Sequence, residues 1–325
     1  MPDPVRWGVL GAARIAKEQM GPAINAAQGG VLSAVATRSP PDKAALLARI
    51  APGARVLQDY DALLDDPEID AIYIPLPNHL HVEWAIRAAR AGKHVLCEKP
   101  MALETGAIDA LINVRDETGV EIAEAFMIAH HPQWACAREL VNGGRLGALH
   151  RLEASFTAPL TDMSDFRNNP PGGGALRDLG GYVLGAARLA TGEEPEDGVA
   201  ARIDWEAGVD ATVQVTARFP SFLFNGHVSM RAALWQDLSI HGADASVRLP
   251  IPFNPLGLGE AHVELHRQTQ MQVWRFPETN QYVRQVEAFN TAVRGSASFP
   301  HPLEASRAIQ AFVDTAYQAG GSAGP

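Results

Sequence analysis

The sequence predicts a two-part α/β protein, with a doubly wound parallel sheet in its first third followed by an α+β domain. Two observations carry this. Up to about residue 125, short apolar runs alternate with amphipathic stretches of about 10–15 residues, the pattern of right-handed βαβ crossovers. Beyond that point alternation with period two takes over. It is clearest in Val209-Asp-Ala-Thr-Val-Gln-Val-Thr-Ala-Arg-Phe219, whose apolar residues share one face while Asp210, Thr212, Gln214, Thr216 and Arg218 share the other. A chain of 325 residues with 46% hydrophobic residues is long enough and apolar enough for two cores.

Arg6–Leu10 reads as a buried strand, after which Gly11 opens a helix running towards Ala27. Val31–Thr37 reads as a second strand, followed by an Ala/Leu-rich helix from Pro41 to Ile50. Val56–Gln58, Ala71–Pro75, His94–Glu98 and Glu121–Ala125 complete the parallel sheet, separated by helices at Asp59–Asp65, His79–Ala91 and Glu104–Gly119. In the second part, Pro132–Gly143 and Ala175–Ala190 are helical. Leu149–Thr157, Ala200–Trp205, His227–Ala232, Asp237–His241, Ser246–Leu249, Ala261–His266 and Gln272–Phe276 join the alternating strand in a sheet with one covered face. Helices at Asn280–Arg294 and Leu303–Ala319 close the chain. The expected domains are therefore 1–125, of nucleotide-binding type, and 126–325, for substrate and oligomerisation.

Lys and Arg number 27 against 37 Asp and Glu, a formal charge of −10. That balance removes the broad attraction nucleic acid or an anionic membrane needs, so any phosphate must be captured locally. Cys97 and Cys136 form neither a disulfide framework nor a zinc cluster, which fits reduced thiols in a cytoplasmic protein. No secretory leader pattern and no apolar run of roughly 18 residues is found. His79 and His81 are two apart and His130 and His131 adjacent, not the helical spacing of a metal site, and no metal is expected.

The turn after the first strand, Gly11-Ala12-Ala13-Arg14-Ile15-Ala16, keeps the first glycine of a dinucleotide fingerprint. Its position between first strand and first helix makes Gly11, Ala13, Arg14 and Ile15 candidates for the cofactor's pyrophosphate. The second strand ends in Val35-Ala36-Thr37-Arg38 without the carboxylate that would accept from an adenosine 2′-hydroxyl. NADP is therefore expected rather than NAD, with Thr37 and Arg38 on the 2′-phosphate. His94-Val-Leu-Cys-Glu-Lys-Pro100 puts Lys99 at the carboxyl end of a parallel strand, where open α/β sheets build their sites, and Pro100 restricts its backbone in either the trans or the cis form. Asp178 and Tyr182 are four apart, on one face of a helix.

Ile74-Pro-Leu-Pro-Asn-His-Leu-His81, the segment Ala91–Pro100 that ends in Glu98-Lys99-Pro100, Gly172–Tyr182 and Ala187–Pro195 together resemble the Gfo/Idh/MocA oxidoreductases. Within that family the sequence is similar to the branch of dimeric trans-dihydrodiol dehydrogenases and NADP-dependent D-xylose dehydrogenases, over most of the chain. The resemblance implies a Rossmann domain, a second domain with a large, mostly antiparallel open sheet, and hydride transfer at a carbinol or lactol carbon of a sugar, polyol or dihydrodiol. It places the family's catalytic lysine on Lys99, with Asp178 and Tyr182 as its helix motif, Tyr182 being general base in oxidation and general acid in reduction. Pro75, Leu76, Asn78 and His81 fall on the cofactor loop, Glu98 and Lys99 on the signature segment. Arg167 is expected as a nicotinamide or substrate contact. A homodimer packed through the second sheet is also implied. One departure lies near the expected substrate position, where Ile128-Ala129 stand in place of an aromatic residue and an arginine. That departure keeps a second reading in view, a non-catalytic NADP-binding regulator on the same fold.

Overall fold

A computed structural model describes residues 3–38 and 53–321, so the helix expected at Pro41–Ile50 lies outside the described residues. The first sheet contains β1 (Val5–Leu10), β2 (Gly30–Ala36), β3 (Arg55–Leu57), β4 (Ala71–Ile74), β5 (His94–Cys97) and β6 (Ile122–Glu124) in the order β3-β2-β1-β4-β5-β6, every neighbour parallel. Its strands are short and almost wholly apolar because helices cover both faces. These helices include α1 (Gly21–Ala26), α2 (Tyr60–Leu64), α3 (His81–Arg90) and α4 (Thr105–Thr118). The helix expected from Gly11 begins with a π-helical turn, Ala16–Met20, before α1.

The second sheet has eight strands, β7 (Leu149–Thr157), β8 (Asp197–Glu206), β9 (Val209–Arg218), β10 (Leu223–Ser229), β11 (Trp235–Gly242), β12 (Ser246–Leu249), β13 (Ala261–Arg267) and β14 (Gln270–Phe276). Their order is β14-β13-β12-β11-β7-β10-β9-β8, antiparallel throughout except between β7 and β10. The remaining helices are α5 (Pro132–Asn142), α6 (Gly181–Thr191), the short α7 (Pro255–Leu258), α8 (Gln281–Val293) and α9 (Leu303–Gly320). Both fold classes match the expectation. One strand moves: β10 begins four residues before the expected His227, because Phe219 N–H donates to the Phe222 carbonyl at 2.9 Å and their rings stack 4.7 Å apart, closing a tight hairpin with β9.

The chain divides into two compact units, one running to His130 and taking in Gln281–Arg307, the other covering His131–Asn280 and continuing from Ala308. The expected assignment of everything after 125 to the second domain thus differs at Gln281–Arg307. Long-range packing decides it. Phe289 of α8 lies 5.1 Å from the Trp7 ring, Trp7 Nε1 donates to Asn290 Oδ1 at 2.9 Å, and Leu303 is fully buried in the first core.

Within the first unit, Arg6 anchors the start of β1 to the residue before β4. Its backbone N–H and Nε donate to Asp70 Oδ2 at 2.8 and 3.0 Å, and Nη2 donates to Oδ1 at 2.7 Å. These hydrogen bonds hold the Asp70 carboxyl below its ordinary value of 3.8, even though burial pushes it up. A depressed folded pKa contributes stability above 3.8 that is lost as pH falls through the folded value. Urea unfolding across acid pH should show that loss in the wild type, and a smaller one in Asp70→Asn.

Candidate active site

In the first unit the candidates gather at the carboxyl ends of β1, β4 and β5, beside the point where the strand order reverses between β1 and β4. Gly11 follows β1 with φ +120°, a conformation that favours glycine, and its N–H donates to the Ala36 carbonyl at 2.8 Å. A Cβ there would sit 3.0 Å from Leu76 Cδ2, so the glycine lets the β1 and β4 loops approach closely. Ala13 and Ile15 are half-buried in the same turn. Arg14 is exposed, 3.6 Å from Glu18. Across the switch point Pro75 and Asn78 are buried and Leu76 is half-buried.

At the end of β2 the two expected phosphate ligands separate. Thr37 is fully buried, its N–H donating to the Leu57 carbonyl at 2.9 Å, so only Arg38 faces solvent. The guanidinium of Arg38 lies 4.5 Å from the Tyr60 ring centroid.

His81 is fully buried at the start of α3, Nδ1 2.8 Å from the Pro100 carbonyl and Nε2 2.7 Å from the Leu76 carbonyl. One ring thus joins the loop after β4 to the loop after β5. A neutral imidazole donates to one of these carbonyls at a time. Burial pushes its pKa down, opposing the doubly donating form.

Lys99 follows β5 and is half-buried, with a cis bond to Pro100. Its neighbours hold the backbone. Tyr73 O–H donates to Glu98 Oε1 at 2.5 Å, and Lys99 N–H donates to Glu98 Oε2 at 3.3 Å. Burial raises the Glu98 pKa despite these bonds. On the other side, Met101 N–H donates to Glu124 Oε1 at 2.9 Å. Glu124 lies 3.6 Å from His301 Nε2, which is 3.1 Å from the Ser306 hydroxyl. Burial raises the Glu124 pKa, but bonds to His301, Ser306 and Met101 outweigh it and hold it below the ordinary value.

The second unit carries Asp178, Tyr182 and Arg167. Asp178 lies in a π-helical turn, Leu176–Gly180, that runs directly into α6, so the expected helix is continuous but not α-helical at its start. Such turns recur at functional sites. Tyr182 is buried, its ring 5.6 Å from Phe156 and 5.7 Å from Phe253. Arg167 is clamped by Asp165, Nε to Oδ1 at 2.9 Å and Nη2 to Oδ2 at 2.8 Å, and its Nη1 reaches Asp178 Oδ2 at 3.4 Å. The structure thus brings Arg167 and Asp178 together. Of the adjacent glycines, a Cβ at 180 would press on Leu176 at 3.0 Å, whereas one at 181 would meet nothing within 4 Å. Packing explains the first; the second leaves open space beside Tyr182.

Asp210 was missed by the sequence reading, which set it on the solvent side of β9. It is buried, accepting from Leu176 N–H at 2.6 Å and from Tyr317 O–H at 2.7 Å. The carboxylate caps the first turn of the segment that bears Asp178 and Tyr182. Gly174 has φ +126°, and a Cβ there would fall 2.0 Å from Asp210 Oδ1. His130 and His131 also prove to be packing residues. His131 Nδ1 accepts from Gln133 N–H at 3.2 Å and caps α5, while His130 packs 4.9 Å from Phe299 and burial lowers its pKa to about 3.

A family model described as an oxidoreductase family with an NAD-binding Rossmann fold matches residues 5–126, and the Gfo/Idh/MocA C-terminal domain matches residues 134–248. An uncharacterized oxidoreductase of Rhizobium meliloti is 39% identical over 314 residues, 93% of this chain and 92% of the relative. A D-xylose 1-dehydrogenase (NADP+) of Haloferax volcanii is 31% identical over 96% of both chains. The crystal structure of a 3-ketoreductase from Actinomadura kijaniata in complex with NADP and TDP-benzene superposes with a TM-score of 0.89 at 30% identity, covering 96% of this chain and 97% of that one. The sequence matches and the two sheets agree, and the chain belongs to the Gfo/Idh/MocA oxidoreductase family.

Proposed function

We propose that this protein is an NADP-dependent oxidoreductase that moves hydride between the nicotinamide and a carbinol or lactol carbon of a sugar, polyol or dihydrodiol. The observation that carries the reading is Lys99 at the carboxyl end of β5, on a backbone held by Glu98 on one side and Glu124 on the other. The residues present fit the cofactor: Gly11 allows close backbone approach, and Arg38 stands where a carboxylate would repel a 2′-phosphate. Relatives whose names include NADP, the xylose dehydrogenase and the ketoreductase, support it.

When bound, the nicotinamide accepts or returns the hydride. Tyr182 removes the hydroxyl proton in oxidation and returns it in reduction. Lys99 polarises the substrate oxygen by donating to it. Asp178, held by Arg167, orients the substrate. Phe156 and Phe253 fix the ring that does the proton transfer.

Two finer points complete the reading. The open face of the second sheet exposes Gln214, Thr216 and Arg218 together with Leu223, Trp235 and Met271, each of the last three more than half exposed. Large apolar side chains on a polar sheet face support a homodimer through that face, which sedimentation at micromolar concentration checks. Free Cys97 and Cys136 accord with a reducing, cytoplasmic setting.

The test is the absorbance of reduced nicotinamide with a panel of aldoses, polyols, dihydrodiols and nucleotide-linked keto sugars. Turnover with NADP on at least one is expected. Tight NADPH binding with no turnover on any would instead favour a non-catalytic regulator.

A further inference from the structure

Three aromatic and cationic side chains from separate elements meet at the end of β2. The Arg38 guanidinium lies 4.5 Å from the Tyr60 ring centroid and 5.9 Å from that of Trp84. Tyr60 and Trp84 meet edge to face at 5.2 Å and 89°, and both are buried in the first core. Arg87 lies over Trp84 at 4.1 Å and is paired with Asp61. Arg38 differs from Arg87 in that no carboxylate among the described residues forms an ion pair with it. Its guanidinium carbon lies over the Tyr60 ring.

We propose that Tyr60 sets the preference for NADP over NAD, by holding the Arg38 guanidinium in one plane so that its N–H edge meets the 2′-phosphate. This rests on the NADP reading above. A guanidinium has five donors in a rigid fork, and stacking leaves the edge of the fork free for two parallel bonds to a phosphate. An exposed arginine otherwise loses side-chain entropy when it is fixed by its ligand. Tyr60 removes part of that cost in advance. It does so without touching the cofactor, so it is a positioning residue. Tyr60 is itself well held. Asp59 caps α2 by accepting from Asp61 N–H at 3.1 Å, and Trp84 braces the Tyr60 ring from α3.

The experiment measures dissociation constants of NADP and NAD by titration of the full chain. Tyr60→Met, close in size but without a ring face, is expected to weaken NADP roughly 3- to 30-fold, the range of a cation–π contact, while NAD changes by less than about 2-fold. Tyr60→Leu should repeat the result, and Tyr60→Phe, which keeps the face, should bind both as the wild type does. In the background of Arg38→Ala, Tyr60→Met should cause no further loss of NADP affinity. Equal weakening of both cofactors, or unchanged NADP affinity, in both the Met and Leu variants would overturn the proposal. If Arg38→Ala itself weakens NADP no more than NAD, Arg38 does not hold the 2′-phosphate, and the role of Tyr60, which acts only through Arg38, falls with that assignment.

Discussion

Replacing Tyr182 by Phe is expected to lower turnover by a factor of about 100 or more, the usual contribution of a positioned acid or base. The substitution keeps the ring and its contacts with Phe156 and Phe253, so it removes the hydroxyl and little else. Thermal stability and NADPH affinity should stay close to wild type. Lys99→Ala should lower turnover by a comparable factor, since its ammonium is assigned to the same oxygen. If the two act as a unit, the double variant loses little more than either single one. Rates near wild type in both single variants, with cofactor still bound, would remove this mechanism.

The second large effect is expected at Asp210, which touches no reacting atom in the proposed chemistry. In Asp210→Asn the single side-chain oxygen can accept from Leu176 or from Tyr317 but not from both, and the amide nitrogen faces either the Leu176 N–H, donor against donor, or the Tyr317 hydroxyl, whose proton then loses its acceptor. A buried bond to a charged acceptor is lost, which should cost about 1.5–3 kcal/mol of stability. Turnover should fall as well, because the turn between Gly174 and Tyr182 loses its cap, whereas NADPH affinity, a property of the first unit, should not. Gly174→Ala should be worse than Asp210→Asn, as its Cβ would overlap Asp210 Oδ1. Urea unfolding of Asp210→Asn with an unchanged free energy would show that the carboxylate does not anchor this segment.

Both predictions reflect how unevenly the site could be read in one dimension. Lys99 was legible because a lysine before a proline at a strand end is a local pattern. Gly11 was legible for the same reason, as the one glycine kept in a strand-to-helix turn. Asp178 and Tyr182 stood out by spacing, although the π-helical turn that carries Asp178 did not. Arg167 was placed near the site, but its clamp on Asp165 and its contact with Asp178 depend on how 165–178 folds back on itself. Thr37 is fully buried while its neighbour Arg38 is exposed, a difference decided by what packs around the end of β2.

The sequence by itself determined the two sheets, the cofactor class and the likeness that names the family, since periodicity, glycine positions and a missing carboxylate are all local. Tertiary structure alone decided what lies beneath those residues. It put Tyr60 and Trp84 under Arg38, one imidazole between the loops after β4 and β5, Asp210 under the turn that carries Asp178, and α8 against Trp7. Alternation along a strand tells which residues share a face. Which distant element covers that face is settled by packing among residues far apart in the chain, and that information is spread over all of them.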